Sequence, residues 1–101
     1  MLFAFSIAPT STEDPDGSVS RAVADAVRIV RESGLPNETT AMFTTIEGEW
    51  DECMAVVKAA VDAVAAHSPR VGLVLKADIR PGFTGQLTAK VERVEEHLRK
   101  D

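Results

Sequence analysis

The chain has 101 residues, 45% of them hydrophobic, and its 11 basic and 16 acidic side chains give a net charge of −5 at pH 7. This length and composition predict one domain, residues 1–101, with a single core, and they exclude a largely disordered chain. A net negative charge repels phosphate backbones, so we expect no nucleic-acid partner.

The lone cysteine, Cys53, cannot form an internal disulfide and has no Cys or His partner at the spacing of a metal site. We therefore expect a small buried side chain on a helix and no metal. The apolar run from Met1 to Pro9 lacks a positively charged start and is too short for a signal peptide or a membrane span. We expect a cytoplasmic protein without a membrane partner.

The first two predicted elements are a strand and a helix. Residues 2–8 alternate large and small side chains, and both faces are free of charge, which predicts a central strand. Pro9 ends it, and residues 10–17 predict a solvated loop. Ser18 is the expected N-cap of a helix that stops at Gly34. The apolar stripe of this helix comprises Val19, Ala22, Val23, Ala26, Val27 and Val30.

The middle of the chain predicts two strands and a second helix. Residues 37–49 favour two short strands joined by a tight reversal near residues 41–43, with one long bent strand as the alternative. Asp51 is the expected N-cap of the helix, which ends at His67. Its predicted buried face comprises Met54, Val57, Ala60, Val61 and Val64.

Residues 71–80 alternate apolar and polar positions more regularly than any other segment, which predicts a strand with one apolar face. A turn at residues 80–82 leads to a last helix, whose narrow apolar stripe is typical of a seam between two helices. The stripe comprises Leu87, Val91, Val94 and Leu98. It packs either across its own sheet or on a neighbouring subunit.

This order of elements predicts an α+β fold: a ferredoxin-like β-α-β-β-α-β sandwich with an additional C-terminal helix. Its two main helices cover one face of a four-stranded antiparallel sheet and leave the other face uncovered. An uncovered apolar face in a chain of this size predicts contact with a second subunit or a ligand.

Three segments of the chain resemble the thiamine-binding protein family: residues 5–9, 44–51 and 76–80. The likeness covers almost the whole chain and is most specific in the Thr-Thr-Ile-Glu-Gly motif at residues 44–48. It implies a ferredoxin-like fold, assembly into dimers and tetramers through sheet faces, and binding of thiamine or its hydroxymethylpyrimidine half without known chemistry. Residues 10–17 match least, and no functional residue is carried over there.

Thiamine has an aminopyrimidine edge that needs hydrogen-bond partners, an aromatic face that needs apolar cover, and a thiazolium that favours negative charge. Glu47 and Asp78 can accept from the amine or offset the cation. Thr44 and Thr45 point to opposite faces of a regular strand, so only one of them reaches a ligand on a given side. The expected ligand-binding residues are Ser6, Thr40, Met42, Thr44, Thr45, Glu47 and Asp78.

The sequence has no Ser-His-Asp order, Gly-rich phosphate loop or His/Cys cluster, so we expect a non-catalytic binder without a cofactor. We expect it to be a homo-oligomer, a dimer of dimers, that binds a thiamine-like small molecule. Two alternatives stay open: a small ferredoxin-like enzyme that acts on a ligand on the uncovered sheet face, and a structural or regulatory oligomer without a metabolite ligand.

Overall fold

The computed structural model describes residues 1–10 and 20–100, and its elements follow the predicted order. The strands are β1 (Leu2–Pro9), β2 (Asn37–Thr39), β3 (Thr44–Glu47) and β4 (Val71–Asp78), and the helices are α1 (Ser20–Glu32), α2 (Trp50–Ala65) and α3 (Gln86–Lys100). The four strands form one antiparallel sheet in the order β2-β3-β1-β4. The predicted ferredoxin-like sandwich with an additional C-terminal helix is confirmed. The predicted N-cap Ser18, the predicted stripe residue Val19 and most of the predicted loop lie outside the described residues.

Helices α1 and α2 pack on one face of the sheet, which we call the covered face. Strand alternation directs Phe3, Phe5 and Ile7 of the central strand β1 to this face, where Phe3 lies between Ile46 of β3 and Ala77 of β4. The buried core comprises Phe3, Phe5, Ile7, Ala22, Ala26, Val30, Ile46, Cys53, Val57, Ala60 and Val64. Cys53 is fully buried, as predicted, and burial raises the pKa of its thiol.

Helix α2 begins two residues before the point that the sequence predicted. Its N-cap is Glu49 and not Asp51, because the Glu52 carboxylate accepts a hydrogen bond from the Glu49 amide at 3.2 Å and closes the first turn there. Trp50 then opens the helix and sets its ring edge-on against Phe3, with 5.6 Å between the ring centroids. The single tryptophan therefore anchors the start of α2 to the core.

The opposite face of the sheet, which we call the open face, carries mostly small and polar side chains. The residues whose register directs them to it include Leu2, Ala4, Ser6, Thr45, Glu47, Val74, Lys76 and Asp78. Helix α3 starts beside Glu47 at one end of this face, and the rest of its apolar stripe is exposed to solvent. Beyond Leu87, the stripe therefore does not pack across its own sheet in a single copy of the chain. Within residues 1–10 and 20–100, no helix combines the length and the hydrophobicity needed to span a membrane.

Candidate functional site

A cavity of about 260 Å³ lies beside α1, at the turn that joins β2 to β3. Its walls come from α1, from the second half of β1 and from residues 39–44. The volume is close to the lower end of the range of about 300–1,000 Å³ that is typical of small-ligand sites. Most of the wall is apolar, and the α1 side chains in it are Val23, Ala26, Val27 and Val30.

The β2–β3 turn forms one rim of the cavity and is held by Thr40. The Thr40 amide and hydroxyl both donate to the Phe43 carbonyl, at 2.9 and 3.0 Å, and the hydroxyl accepts from the Phe43 amide at 3.4 Å. Met42, at the tip of the turn, is 75% exposed. The predicted reversal is thus confirmed, and Thr40 serves the turn with its hydroxyl while Met42 offers a flexible apolar side chain at the rim.

Thr44 brings a free hydroxyl to the cavity. The residue is only 9% exposed, and its hydroxyl makes no hydrogen bond to another described residue. Within the described chain, no buried side-chain nitrogen or oxygen is sealed from solvent without a hydrogen-bond partner. The Thr44 oxygen must therefore be accessible, and the cavity is the space that this residue lines. There it can donate one hydrogen bond and accept others.

The cavity wall carries no charged side chain in the described part of the chain. Its polar residues are Thr39, Thr40 and Thr44, together with Ser6, whose register directs its side chain to the open face. Burying an unpaired charge is costly, so the cavity suits a neutral aromatic or aliphatic group that needs one or two hydrogen bonds.

The structure divides the seven predicted binding residues between the two faces of the sheet. Thr40, Met42 and Thr44 lie together at the cavity. The others, Ser6, Thr45, Glu47 and Asp78, have the register of the open face, although Ser6 also borders the cavity. The seven residues therefore do not form one site within a single copy of the chain.

Glu47 is 5% exposed, and its carboxylate is already engaged. Oε2 accepts from the Gln86 amide at 2.8 Å and Oε1 from the Leu87 amide at 3.3 Å. These amides open α3, whose N-cap, Gly85, has no side chain to accept from them. The negative charge also suits the positive end of the helix dipole. Glu47 therefore joins the sheet to α3.

Asp78, the second predicted acid, is paired with the Lys90 ammonium of α3. The hydrogen bond and the charge of Lys90 lower the pKa of the Asp78 carboxyl below its ordinary value of 3.8. Glu47 and Asp78 thus both hold the first turns of α3. No three described His, Cys, Asp or Glu residues cluster so as to hold a metal ion.

The sequence missed the contribution of α1 to the cavity. The apolar stripe predicted for α1 contained two adjacent rows of residues. The first row, Ala22, Ala26 and Val30, is buried in the core. Val23 and Val27 form the second row and are only partly buried, because they face the cavity. The second row of the stripe, beside the row that enters the core, was the signal that could have revealed this wall.

The profile of one protein family, described as thiamine-binding protein, matches residues 3–95 of this chain. The chain belongs to the thiamine-binding protein family. Among curated relatives, UPF0045 protein Mb1933 of Mycobacterium bovis is 52% identical over 99 residues, which cover 97% of this chain and 94% of that protein. UPF0045 protein YqgV of Bacillus subtilis is 35% identical over 97 residues and covers 91% of each.

Solved structures of related proteins share the fold. The hypothetical protein MJ1052 of Methanocaldococcus jannaschii has a TM-score of 0.82 and 30% identity, covering 94% of this chain and 95% of its own. A Thermotoga maritima protein, proposed to act in thiamine biosynthesis or salvage, has a TM-score of 0.73 and 23% identity, covering 90% of this chain and 96% of its own. At that identity the second likeness concerns the fold alone.

Proposed function

We propose that this member of the thiamine-binding protein family binds thiamine, or its hydroxymethylpyrimidine half, in the cavity beside α1 and does not convert it. The observation that carries this proposal is the unpartnered Thr44 hydroxyl within a mostly apolar wall. A heteroaromatic ring with hydrogen-bonding substituents fits such a wall, because it needs apolar cover on its faces and a polar partner at its edge.

The chemistry of the wall favours the pyrimidine half as the part that enters. Thiamine carries its positive charge on the thiazolium, and the described wall has no carboxylate to offset a cation. The thiazolium of a bound thiamine therefore stays toward the mouth of the cavity, near solvent and under the net negative charge of the protein.

Binding without catalysis is proposed because the described wall offers hydroxyls but no carboxylate, imidazole, thiol or amine in position to move a proton. The alternative of an enzyme acting on the open face is weakened by the pairing of Glu47 and Asp78 with α3. A general base at either position would first have to release the helix.

Self-assembly is the second part of the proposal. The apolar stripe of α3 is exposed at Val91, Val94 and Leu98, and Val74 is exposed on the open face, so both surfaces offer apolar side chains that a second subunit would cover. A homo-oligomer that buries them would leave the cavity beside α1 outside the sheet-to-sheet contact, since the cavity lies next to the opposite side of the sheet.

Isothermal titration calorimetry tests the ligand. Hydroxymethylpyrimidine and thiamine should each saturate the protein with a Kd of tens of micromolar, about 6–7 kcal/mol of binding free energy. The thiazole alcohol should give no saturable heat. If neither pyrimidine compound binds in the millimolar range, the proposal is wrong.

A pair of variants tests the location. Val27→Phe places a bulky ring in the cavity and should abolish binding, whereas Val74→Phe, on the open face, should leave the Kd within about twofold of the parent. Circular dichroism on both variants confirms that they fold. Loss of binding in Val74→Phe with binding kept in Val27→Phe would move the site to the open face.

A further inference from the structure

Two threonines line the cavity with hydroxyl groups that make no hydrogen bond to another described residue. They are Thr39, at the end of β2, and Thr44, at the start of β3. The hydroxyl of Thr40 is occupied, because it donates to the Phe43 carbonyl and accepts from the Phe43 amide. The register of β1 directs Ser6 to the open face. Thr39 and Thr44 therefore supply the free side-chain polar atoms of the described wall.

Thr39 and Thr44, which we call the threonine pair, lie directly opposite each other in the ladder of β2 and β3, on the same face of the sheet. The Thr40 amide donates to the Phe43 carbonyl at 2.9 Å, so the neighbouring pair toward the turn is a hydrogen-bonded one. Since the two kinds of pair alternate, the threonine pair is a non-hydrogen-bonded one. In such pairs the Cα atoms are about 4.5 Å apart and the side chains approach each other most closely.

The rest of the cavity wall gives a ring apolar contacts. Phe5 of β1 lies opposite Thr44 on its other side and is buried, so Thr44 stands between an aromatic ring and the Thr39 hydroxyl. The side chains that α1 contributes are all aliphatic. A ring in the cavity therefore meets free side-chain polar atoms at one place, the threonine pair, and its polar edge must point there.

The threonine pair does not prescribe which ligand atom donates and which accepts. Each hydroxyl can rotate, donate one hydrogen bond and accept others, whereas a carboxylate only accepts and an ammonium or guanidinium only donates. The described wall contains none of these charged groups. The carboxylates of Glu47 and Asp78 are held by α3. The pair can therefore satisfy a donor beside an acceptor in either order.

Two kinds of pyrimidine edge present these two orders. In a 4-aminopyrimidine the exocyclic amine donates and the adjacent ring nitrogen accepts. In the corresponding 4-oxopyrimidine the carbonyl accepts and the adjacent ring N–H donates. The two edges have nearly the same shape, and both are neutral, as the uncharged wall requires. Rotation of the two hydroxyls adapts the pair from one edge to the other.

We propose that the threonine pair binds the polar edge of the ring and that the cavity accepts 4-amino- and 4-oxopyrimidines with similar affinity. This inference rests on the proposed function, because it concerns the same cavity. It defines the ligand class by chemistry: neutral pyrimidines that carry an amino or an oxo group beside a ring nitrogen.

Isothermal titration calorimetry with two compounds that differ at one position tests the ligand class. The probes are hydroxymethylpyrimidine, which carries the 4-amino group, and its 4-oxo analogue. The two Kd values should agree within about tenfold, because each compound forms two hydrogen bonds with the pair. A site with a fixed donor or acceptor would leave like groups facing each other in one complex and would separate the two values by more than that.

The same titrations distinguish this inference from the proposed function. If hydroxymethylpyrimidine binds and the oxo analogue binds more than about tenfold more weakly, the inference is overturned and the proposed function stands. If neither compound binds in the millimolar range, both are wrong. The comparison uses the parent protein, so it does not depend on the folding of any variant.

Isosteric substitutions test whether the threonine pair makes the contact. Thr39→Val and Thr44→Val keep the branched shape that suits a strand and remove only the hydroxyl. Thr39→Val should raise the Kd of both compounds about 2- to 5-fold, and Thr44→Val should raise it more, because Thr44 is the more buried of the two. Thr45→Val, on the open face, is the matched control and should stay within about twofold of the parent. Unchanged Kd values in Thr39→Val would overturn its role.

A third compound identifies which atoms of the ring the pair contacts. The analogue with hydrogen in place of the 4-amino group keeps the ring nitrogen but loses one polar atom, so one hydroxyl of the pair loses its partner. Substitution of that threonine by valine should change the Kd of this compound by less than about twofold, while substitution of the other keeps its full effect. If both substitutions weaken this compound as much as they weaken hydroxymethylpyrimidine, the pair does not contact the 4-position and the proposal is overturned.

Discussion

Thr44 and Thr45 are neighbours in the chain, yet the two faces of the sheet give them opposite surroundings. Thr44 lies on the covered face, almost fully buried, with a free hydroxyl at an apolar cavity. Thr45 lies on the open face, between Glu38 and Ala4 in adjacent strands. Residue type alone therefore does not locate the candidate site, because strand alternation decides what each side chain meets.

The acidic side chains of the open face likewise show that residue type alone does not locate the candidate site. Glu47 and Asp78 are the obvious polar candidates of the open face, but the start of α3 occupies both. A carboxylate that already accepts two amide hydrogen bonds has little capacity left for a ligand. The Thr44 hydroxyl on the covered face forms weaker hydrogen bonds than a carboxylate, but it is available to a ligand.

The largest expected effect comes from deleting core volume on the covered face. Ile46 is fully buried, and Ile46→Ala should lower the free energy of unfolding by about 2–5 kcal/mol. Val74→Ala on the open face should change it by less than about 0.5 kcal/mol in the monomer. Urea denaturation at low protein concentration measures both. Equal losses would show that the two faces do not differ as described.

The next effect concerns the acid on the open face. Glu47→Gln keeps the shape of the side chain but removes the charge and one acceptor, which weakens contacts worth about 1.5–3 kcal/mol to the start of α3. Hydrogen exchange should show faster exchange of the Gln86 and Leu87 amides. The Kd for hydroxymethylpyrimidine should stay unchanged, whereas a large rise without a change at α3 would indicate that Glu47 contacts the ligand.

A smaller effect separates the two threonines. Thr44→Val replaces the free hydroxyl by a methyl group of similar size and should weaken ligand binding by about 0.5–1.5 kcal/mol, or roughly 2- to 12-fold in Kd. Thr45→Val is the matched control and should bind like the parent. Calorimetry on both variants gives the comparison, and the reverse ranking would place the ligand on the open face.

The smallest effect is a pH dependence at the open face. Lys90 lowers the pKa of Asp78 in the folded state, so the stability from this contact is present above the ordinary value of 3.8 and is lost as pH falls through the lower folded value. An NMR titration of the Asp78 carboxyl should therefore have its midpoint below 3.8. In Lys90→Met the midpoint should move up toward that value, and an unmoved midpoint would contradict the pairing.

Local sequence patterns predicted the order of elements, the central position of β1 and the burial of Cys53, because these follow from alternation, helical spacing and chain-breaking residues. The start of α2 was missed because Glu49 and Asp51 are both plausible caps, and the position of Glu52 decides between them. The partner of Glu47 lies 39 residues away and could not be identified locally. The cavity depends on how α1 sits over the sheet, which no single segment encodes.

Chemical-shift mapping with hydroxymethylpyrimidine tests the central claim most directly, since it reports which face of the sheet meets the ligand. In methyl-labelled protein the Val23 and Val27 signals at the cavity should shift progressively on titration, and the Val74 signals on the open face should stay in place. Shifts at Val74 and Leu2 with unchanged signals at Val23 and Val27 would contradict the account.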